Sequence, residues 1–176
     1  MTHASETEFR DWVMRDRQAL RTTAYMLCSD WHLSDDLVQE ALSRLFAAWP
    51  RVRAGGDPGA YARRVVVNLY LDHRRRPWRR EEPTAVPPEP DPLEDAHPAD
   101  GVRADVIAAL ADVPPGQRAV LVLRFWEDLS VEQTARVLNT SEGNVKSQSS
   151  RGLAALRSAL LARGLTDLHT DLTEPT

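Results

Sequence analysis

Five side chains toward the end of this 176-residue sequence have the types and spacing to read DNA: Asn144, Lys146, Ser147, Ser150 and Arg151. A guanidinium can bond both acceptors of a guanine edge, an ammonium can sit on a phosphate, and amides and hydroxyls reach base edges or backbone oxygens. On a helix these five fall on one side, while Val145, Ser149, Gly152, Leu153, Leu156 and Leu160 fall on another. A second set lies mid-chain, where Arg63, Arg64, Arg74, Arg75, Arg76, Arg79 and Arg80 face the single acid Asp72 across residues 60–80, with Asn68 among them. Such a run suits phosphate contact and counterion release. A third set, Asp36, Gln39, Glu40 and Ser43, forms an acidic helix face that would orient a basic partner. Taken alone, each set is also what a solvated helix face looks like.

Bond-making chemistry finds little support. The histidines at 3, 32, 73, 97 and 169 have no metal-ligand spacing, and no glycine-rich phosphate loop or nucleophile elbow is present. The single Cys28 follows Met26 and Leu27, which points to a buried structural thiol, and it excludes an internal disulfide. No enzyme activity, metal or cofactor is expected.

The elements that must position these residues are all helical. Ser130 precedes Gln133 by three residues, the capping-box arrangement, and Val131, Ala135 and Leu138 recur at helical spacing. Asn139-Thr140-Ser141 supplies a short turn, and Ser141 is placed to cap a helix beginning at Glu142. The result is a helix-turn-helix whose second helix would lie in a major groove. Upstream, Phe9, Trp12, Val13, Leu20, Ala24 and Leu27 predict a helix over roughly 8–28. Ser34 is the expected cap of the next, with Asp35 and Asp36 in its first turn and a stripe of Leu37, Val38, Ala41, Leu42, Leu45, Phe46 and Trp49. Pro50 should end it, leaving a loop over Arg51–Gly59, and a third helix should run from Ala60 through Tyr61, Val65 and Leu69 into the arginines. In the second half, Val102, Val106, Ile107 and Leu110 predict one helix, and Pro114-Pro115 starts another containing Val120, Leu121, Leu123 and Phe125.

Net charge is only −4, but the charge is unevenly distributed. The basic stretch at 60–80 abuts eight acids against Arg103 over 81–105, and residues 77–98 hold seven of the twelve prolines. That composition predicts an extended linker. The expected fold is all-α: two small helical domains, 1–80 and 102–165, joined by an acidic proline-rich linker at 81–101, with a polar tail at 166–176. No apolar run approaches membrane-spanning length and the polar N-terminus lacks a signal-peptide pattern, so no membrane insertion and a cytoplasmic location are expected.

These residues carry a resemblance. Asp36-Leu37-Val38-Gln39-Glu40-Ala41-Leu42 resembles the core-polymerase-binding helix of bacterial sigma factors. Residues 60–69, AYARRVVVNL, resemble the helix that reads the −10 promoter element. Leu110, Pro114, Gln117-Arg118 and Val120 to Phe125 resemble the opening of the second sigma domain, and Leu129 to Arg157 resembles its −35-reading helix-turn-helix. Four motifs in order, with no larger sigma regions, are similar to the extracytoplasmic-function sigma factors, and among them to actinobacterial sigma-E-like members.

The resemblance implies a promoter-specificity subunit with two partners: the β and β′ subunits of core RNA polymerase, and promoter DNA, double-stranded at −35 and melted at −10. An anti-sigma factor is a further partner common in the family. Asp36, Gln39, Glu40 and Ser43 are then the polymerase-binding face; Arg63, Arg64, Asn68, Arg74, Arg75 and Arg76 the −10 set; Asn144, Lys146, Ser147, Ser150 and Arg151 the −35 set. The segment 51–59 resembles the one that pockets a flipped base. Several side chains carry two readings: Trp49 as stacking platform or core, Asn68 as base reader or core amide, Arg118 and Arg124 as phosphate contacts or solvated surface, Phe125 and Trp126 as polymerase-flap surface or core. The acidic linker can mimic RNA in the polymerase channel, mask the arginines, or serve as a spacer. The reading helix carries Asn144-Val145-Lys146-Ser147-Gln148 where Thr-Val-Lys-Ser-Arg is usual, and Gly152 where Ala is usual, at about 1 kcal/mol of helix propensity. A stand-alone regulator would explain the helix-turn-helix but has no need of the other two sets.

Overall fold

A computed structural model describes residues 3–75 and 100–165 of the chain. Every regular element among them is helical: α1 (His3–Cys28), α2 (Trp31–Gly55), α3 (Pro58–Arg75), α4 (Asp100–Leu110), α5 (Pro115–Leu121), a π turn (Val122–Trp126), α6 (Val131–Leu138) and α7 (Glu142–Ala162). The proline-rich acidic stretch and the polar tail expected at 166–176 fall almost wholly or wholly outside the described residues, as do Arg76, Arg79 and Arg80.

Helices α1, α2 and α3 pack on one another around Trp12, Leu20, Ala24, Leu27, Leu37, Val38, Ala41, Leu45, Trp49, Val66, Val67 and Tyr70, all buried. Trp49 is core: its ring meets Phe9 edge-on at 5.1 Å and Trp12 at 6.0 Å, so it is no stacking platform.

Three boundaries in the first half differ from the sequence expectation, and in the second half the helix expected to hold Leu123 and Phe125 gives way after Leu121 to the π turn. First, α1 begins at His3 rather than near residue 8. Second, Asp30, not Ser34, caps α2: its extended backbone and carboxylate receive Leu33 N–H at 3.1 Å, and the helix starts at Trp31. Trp31 then stacks on Tyr25 at 3.8 Å and carries the Arg21 guanidinium over its ring at 4.4 Å, which ties α2's first residue to α1. Ser34 is left inside the helix and buried, its hydroxyl donating to the Asp30 carbonyl at 2.6 Å. Asp35 therefore sits past the first turn and pairs two-fold with Arg21 at 2.8 and 3.2 Å.

Third, Pro50 does not end α2, which continues to Gly55. A mid-helix proline costs roughly 3 kcal/mol. Here Trp49 anchors the preceding turn in the core and Arg53 pairs with Glu8 across to α1, so packing holds the helix on both sides of the break. Gly56, at φ 100, supplies the left-handed stop, its N–H donating to Val52 at 3.1 Å. The expected nine-residue loop shrinks to a corner at Gly56 and Asp57.

In the second half α5 packs on α7, and α6 on α7. A Cβ built on Gly152 would lie 3.1 Å from Leu121 Cγ and 3.3 Å from Gln117 Cβ. The glycine thus permits a close approach of α7 to α5. The two halves also touch: α1 meets α4, α5 and the π turn, and α3 meets α5 and α6.

Candidate nucleic-acid and polymerase interfaces

The helix-turn-helix forms as its sequence predicts. Ser130 accepts from Gln133 N–H at 3.1 Å while the Gln133 side chain accepts from Ser130 N–H at 2.7 Å, closing the capping box. Asn139 ends α6 in the left-handed region at φ 50, a conformation asparagine tolerates better than most residues. Ser141 caps α7 by accepting from Asn144 N–H at 3.1 Å. Val145, Ser149, Gly152, Leu156 and Leu160 are buried, and Val145 packs with Val120 and Ala135. Asn144, Lys146, Ser150 and Arg151 are exposed on the other side, with Ser147 half-buried between them. Two of these side chains are held in place: Asn144 donates to the Thr140 hydroxyl at 2.8 Å, and Arg151 donates to the Ser147 hydroxyl at 2.6 Å. Ser147 thus touches the best guanine-reading candidate.

The −10 set divides between two faces of α3. Arg64, Asn68 and Arg75 are exposed and share one strip, so Asn68 is not a core amide. Arg75 lies 3.8 Å from Asp72. Arg63 is rotated by about 100° from Arg64 and half-buried, its Nη1 3.4 Å from a Glu127 carboxylate oxygen. Arg74 is exposed at the end of the Arg63 side. Beside this helix, Arg44, Ala47, Ala48, Pro50, Arg51 and Tyr61 line an open depression between α2 and the start of α3.

On α2, Asp36, Gln39, Glu40 and Ser43 are all exposed and lie on one strip, opposite buried Leu37, Val38, Ala41 and Leu45. Glu40 is paired with Arg44 at 2.8 Å, one turn on.

Sequence reasoning missed the residues that join the halves. Arg118 is neither a phosphate contact nor solvated: it is 4% exposed and donates to the Leu27 carbonyl at 2.7 Å, to Val113 at 3.1 Å and to Ala111. Desolvation lowers its pKa below the ordinary arginine value. Thr23 and Glu127 meet across the same junction. Nothing in their spacing marks them, because each acts through a contact some ninety residues or more away. Arg124 bonds the Leu129 carbonyl, and Phe125 and Trp126 stand at the surface, 47% and 39% exposed, rather than in the core. Cys28 is partly buried, with its Sγ 3.2 Å from both the Asp30 carbonyl and the Ser34 hydroxyl; burial pushes its pKa up.

Among the described residues no three His, Cys, Asp or Glu gather as a metal site, and no helix is long and apolar enough to cross a membrane.

Comparison with known proteins matches both halves. The Sigma-70 region 2 family covers residues 12–80 and the Sigma-70, region 4 family covers residues 103–156. The chain is 39% identical over 158 residues to the RNA polymerase sigma-E factor of Streptomyces coelicolor, spanning 90% of this chain and 89% of that protein. It is 37% identical over 145 residues to the ECF RNA polymerase sigma factor SigE of Mycolicibacterium smegmatis, spanning 78% of this chain and 55% of that one. In fold it is similar to the sigma factor RpoE of Bartonella quintana, solved with the anti-sigma factor NepR, at TM-score 0.68 and 23% identity over 88% of this chain and 97% of that one. With an acidic α2 face, a basic α3 and a capped helix-turn-helix in family order, the chain belongs to the extracytoplasmic-function RNA polymerase sigma factors, transcription initiation factors that bind core polymerase and bring it to promoters.

Proposed function

We propose a division of labour in which residues 1–80 bind core polymerase and hold the melted −10 element, 81–101 connect, and 102–165 read the −35 element. Asp36, Gln39, Glu40 and Ser43 dock on a basic surface of the β′ subunit. Arg64 and Asn68 work from one strip of α3, the arginine on phosphate and the amide on an unpaired base edge, while Arg63, Arg74, Arg75 and Arg76 add backbone contacts. The depression lined by Arg44, Arg51 and Tyr61 receives an extruded base. On α7, Arg151 reads a guanine, Lys146 sits on phosphate, and Asn144, Ser147 and Ser150 complete the contacts. Phe125 and Trp126 offer an apolar patch to the polymerase flap. The chain acts in the cytoplasm and carries no catalysis of its own; an anti-sigma protein is a partner of the kind seen with its structural relative.

The observation that best supports this reading is the Arg151–Ser147 bond of 2.6 Å, which fixes a guanidinium on the exposed side of a helix whose other side is buried. The test is promoter binding by the reconstituted holoenzyme. Arg151→Ala should weaken binding by roughly 1–3 kcal/mol and relax preference at one −35 position. Lys146→Ala should weaken all promoters alike and lower the salt slope by about one. Loss of affinity without any change of preference in Arg151→Ala would reject the assigned role.

A further inference from the structure

Glu127 stands on a rigid post between the two halves. It follows the π turn, and its N–H donates to the Val122 carbonyl at 3.0 Å. Asp128 then takes the left-handed region at φ 49, and Leu129 N–H returns to Leu123 at 3.0 Å while Arg124 bonds the Leu129 carbonyl. π turns are rare and concentrate at functional positions. This one aims a carboxylate at the N-terminal helices.

The two oxygens of that carboxylate are divided between two helices. One lies against the Thr23 hydroxyl of α1, which is buried and also within 3.0 Å of the Ala19 carbonyl. The other is 3.4 Å from Arg63 Nη1 on α3. Side-chain exposure is 13% for Glu127 and 27% for Arg63, against 70% and 36% in a surface pair such as Arg15–Asp16, so water screens this contact less. Arg63 is nonetheless under-used, since its Nε is buried with no hydrogen-bond partner. An incoming phosphate could offer the same guanidinium more acceptor oxygens than one distant carboxylate does. Arg118 adds a second closure through Leu27, but two of its three carbonyl partners, Ala111 and Val113, belong to its own half. Separating the halves therefore costs Arg118 one bond and leaves it still held.

We propose that Glu127 is a latch: in the free chain it occupies Arg63 as a stand-in for DNA phosphate and keeps the halves closed until core polymerase draws them apart. Closing withholds Arg63 while leaving Arg64 and Asn68 exposed, so it lowers single-strand affinity without abolishing it. The proposal rests on Arg63 belonging to the −10 surface.

The test uses the full chain without polymerase. The probe is a fluorescent single-stranded A/T-rich deoxyoligonucleotide, and the second readout is the radius of gyration by small-angle X-ray scattering. Glu127→Gln, which keeps the side chain's shape, should enlarge the radius and tighten oligonucleotide binding about fivefold, as expected when a masked fraction is released. Arg63→Glu combined with Glu127→Arg should return the radius to the wild-type value without restoring tight binding. Unchanged radius in Glu127→Gln overturns the latch; a larger radius with unchanged affinity overturns the masking. Arg63→Ala assayed in the holoenzyme separates the underlying premise: normal opening of the −10 element there would remove Arg63 from the −10 surface whatever the radius shows.

Discussion

The Arg118 guanidinium donates to the Leu27 carbonyl at 2.7 Å, joining α5 to the end of α1 across 91 positions of sequence. The same side chain bonds Val113 and Ala111, beyond the end of α4. It therefore gathers free carbonyls at the C-terminal ends of two helices, where the helix dipoles favour a cation. No carboxylate pairs with it among the described residues. Buried carbonyls supply what a counterion would.

Removing that cation leaves its acceptors unpaired in the interior. Arg118→Met should cost about 2–3 kcal/mol, the scale of hydrogen bonds to charged groups. Urea unfolding of both variants checks this, with Arg118→Lys expected to retain only part of the stability, since one ammonium cannot span three carbonyls fixed for a planar fork. A Met variant as stable as wild type would mean the bonds contribute nothing net.

Gly152 yields a second prediction. Alanine there gains about 1 kcal/mol of helix propensity. Its Cβ would crowd Leu121 and Gln117 at 3.1–3.3 Å, and Leu121 is 4% exposed with little room to yield. Overpacking typically costs 1–3 kcal/mol. Gly152→Ala should therefore lower the thermal midpoint rather than raise it. A higher midpoint would show that α5 can retreat.

Stability should fall in alkali. Burial raises the pKa of Cys28, Tyr70 and Tyr25, so folding favours their protonated forms. That contribution is intact below the ordinary thiol and phenol values, about 8.5 and 10, and is lost as pH climbs through the raised folded values. Denaturant midpoints at pH 7.5 and 10 measure the loss, and Cys28→Ala should reduce it. A midpoint that is flat across this range would contradict the burial argument.

The cap of α7 offers a local test. Ser141→Ala removes the acceptor of Asn144 N–H and should cost about 1 kcal/mol. Because Asn144 begins the side of α7 proposed to face DNA, −35 binding should weaken as well, whereas opening at −10 should not. Amide exchange across 139–146 reports the fraying.

Where the sequence was legible, local chemistry settled the outcome. Ser130, Gln133, Asn139 and Ser141 fix the helix-turn-helix through bonds within a few residues, so pattern and structure agree. Where it misled, tertiary contact decided. Ser34 and Asp30 are both good caps, and the stacking of Trp31 on Tyr25 selects Asp30. Pro50 is a helix breaker that the packing of Trp49 and the Arg53–Glu8 pair override. The exposure of the candidate residues on α2, α3 and α7 was readable from periodicity. Arg118, Thr23 and Glu127 were not, because their meaning lies in how two separated segments meet.

The most direct test of the account is transcription from genomic DNA by purified core RNA polymerase with and without this chain, followed by mapping of transcript 5′ ends. New starts that depend on the chain and share one −35 and one −10 pattern are the expected result, with the −35 preference altered by Arg151→Ala. A polymerase that is active with another sigma factor yet gains no start from this chain would contradict it.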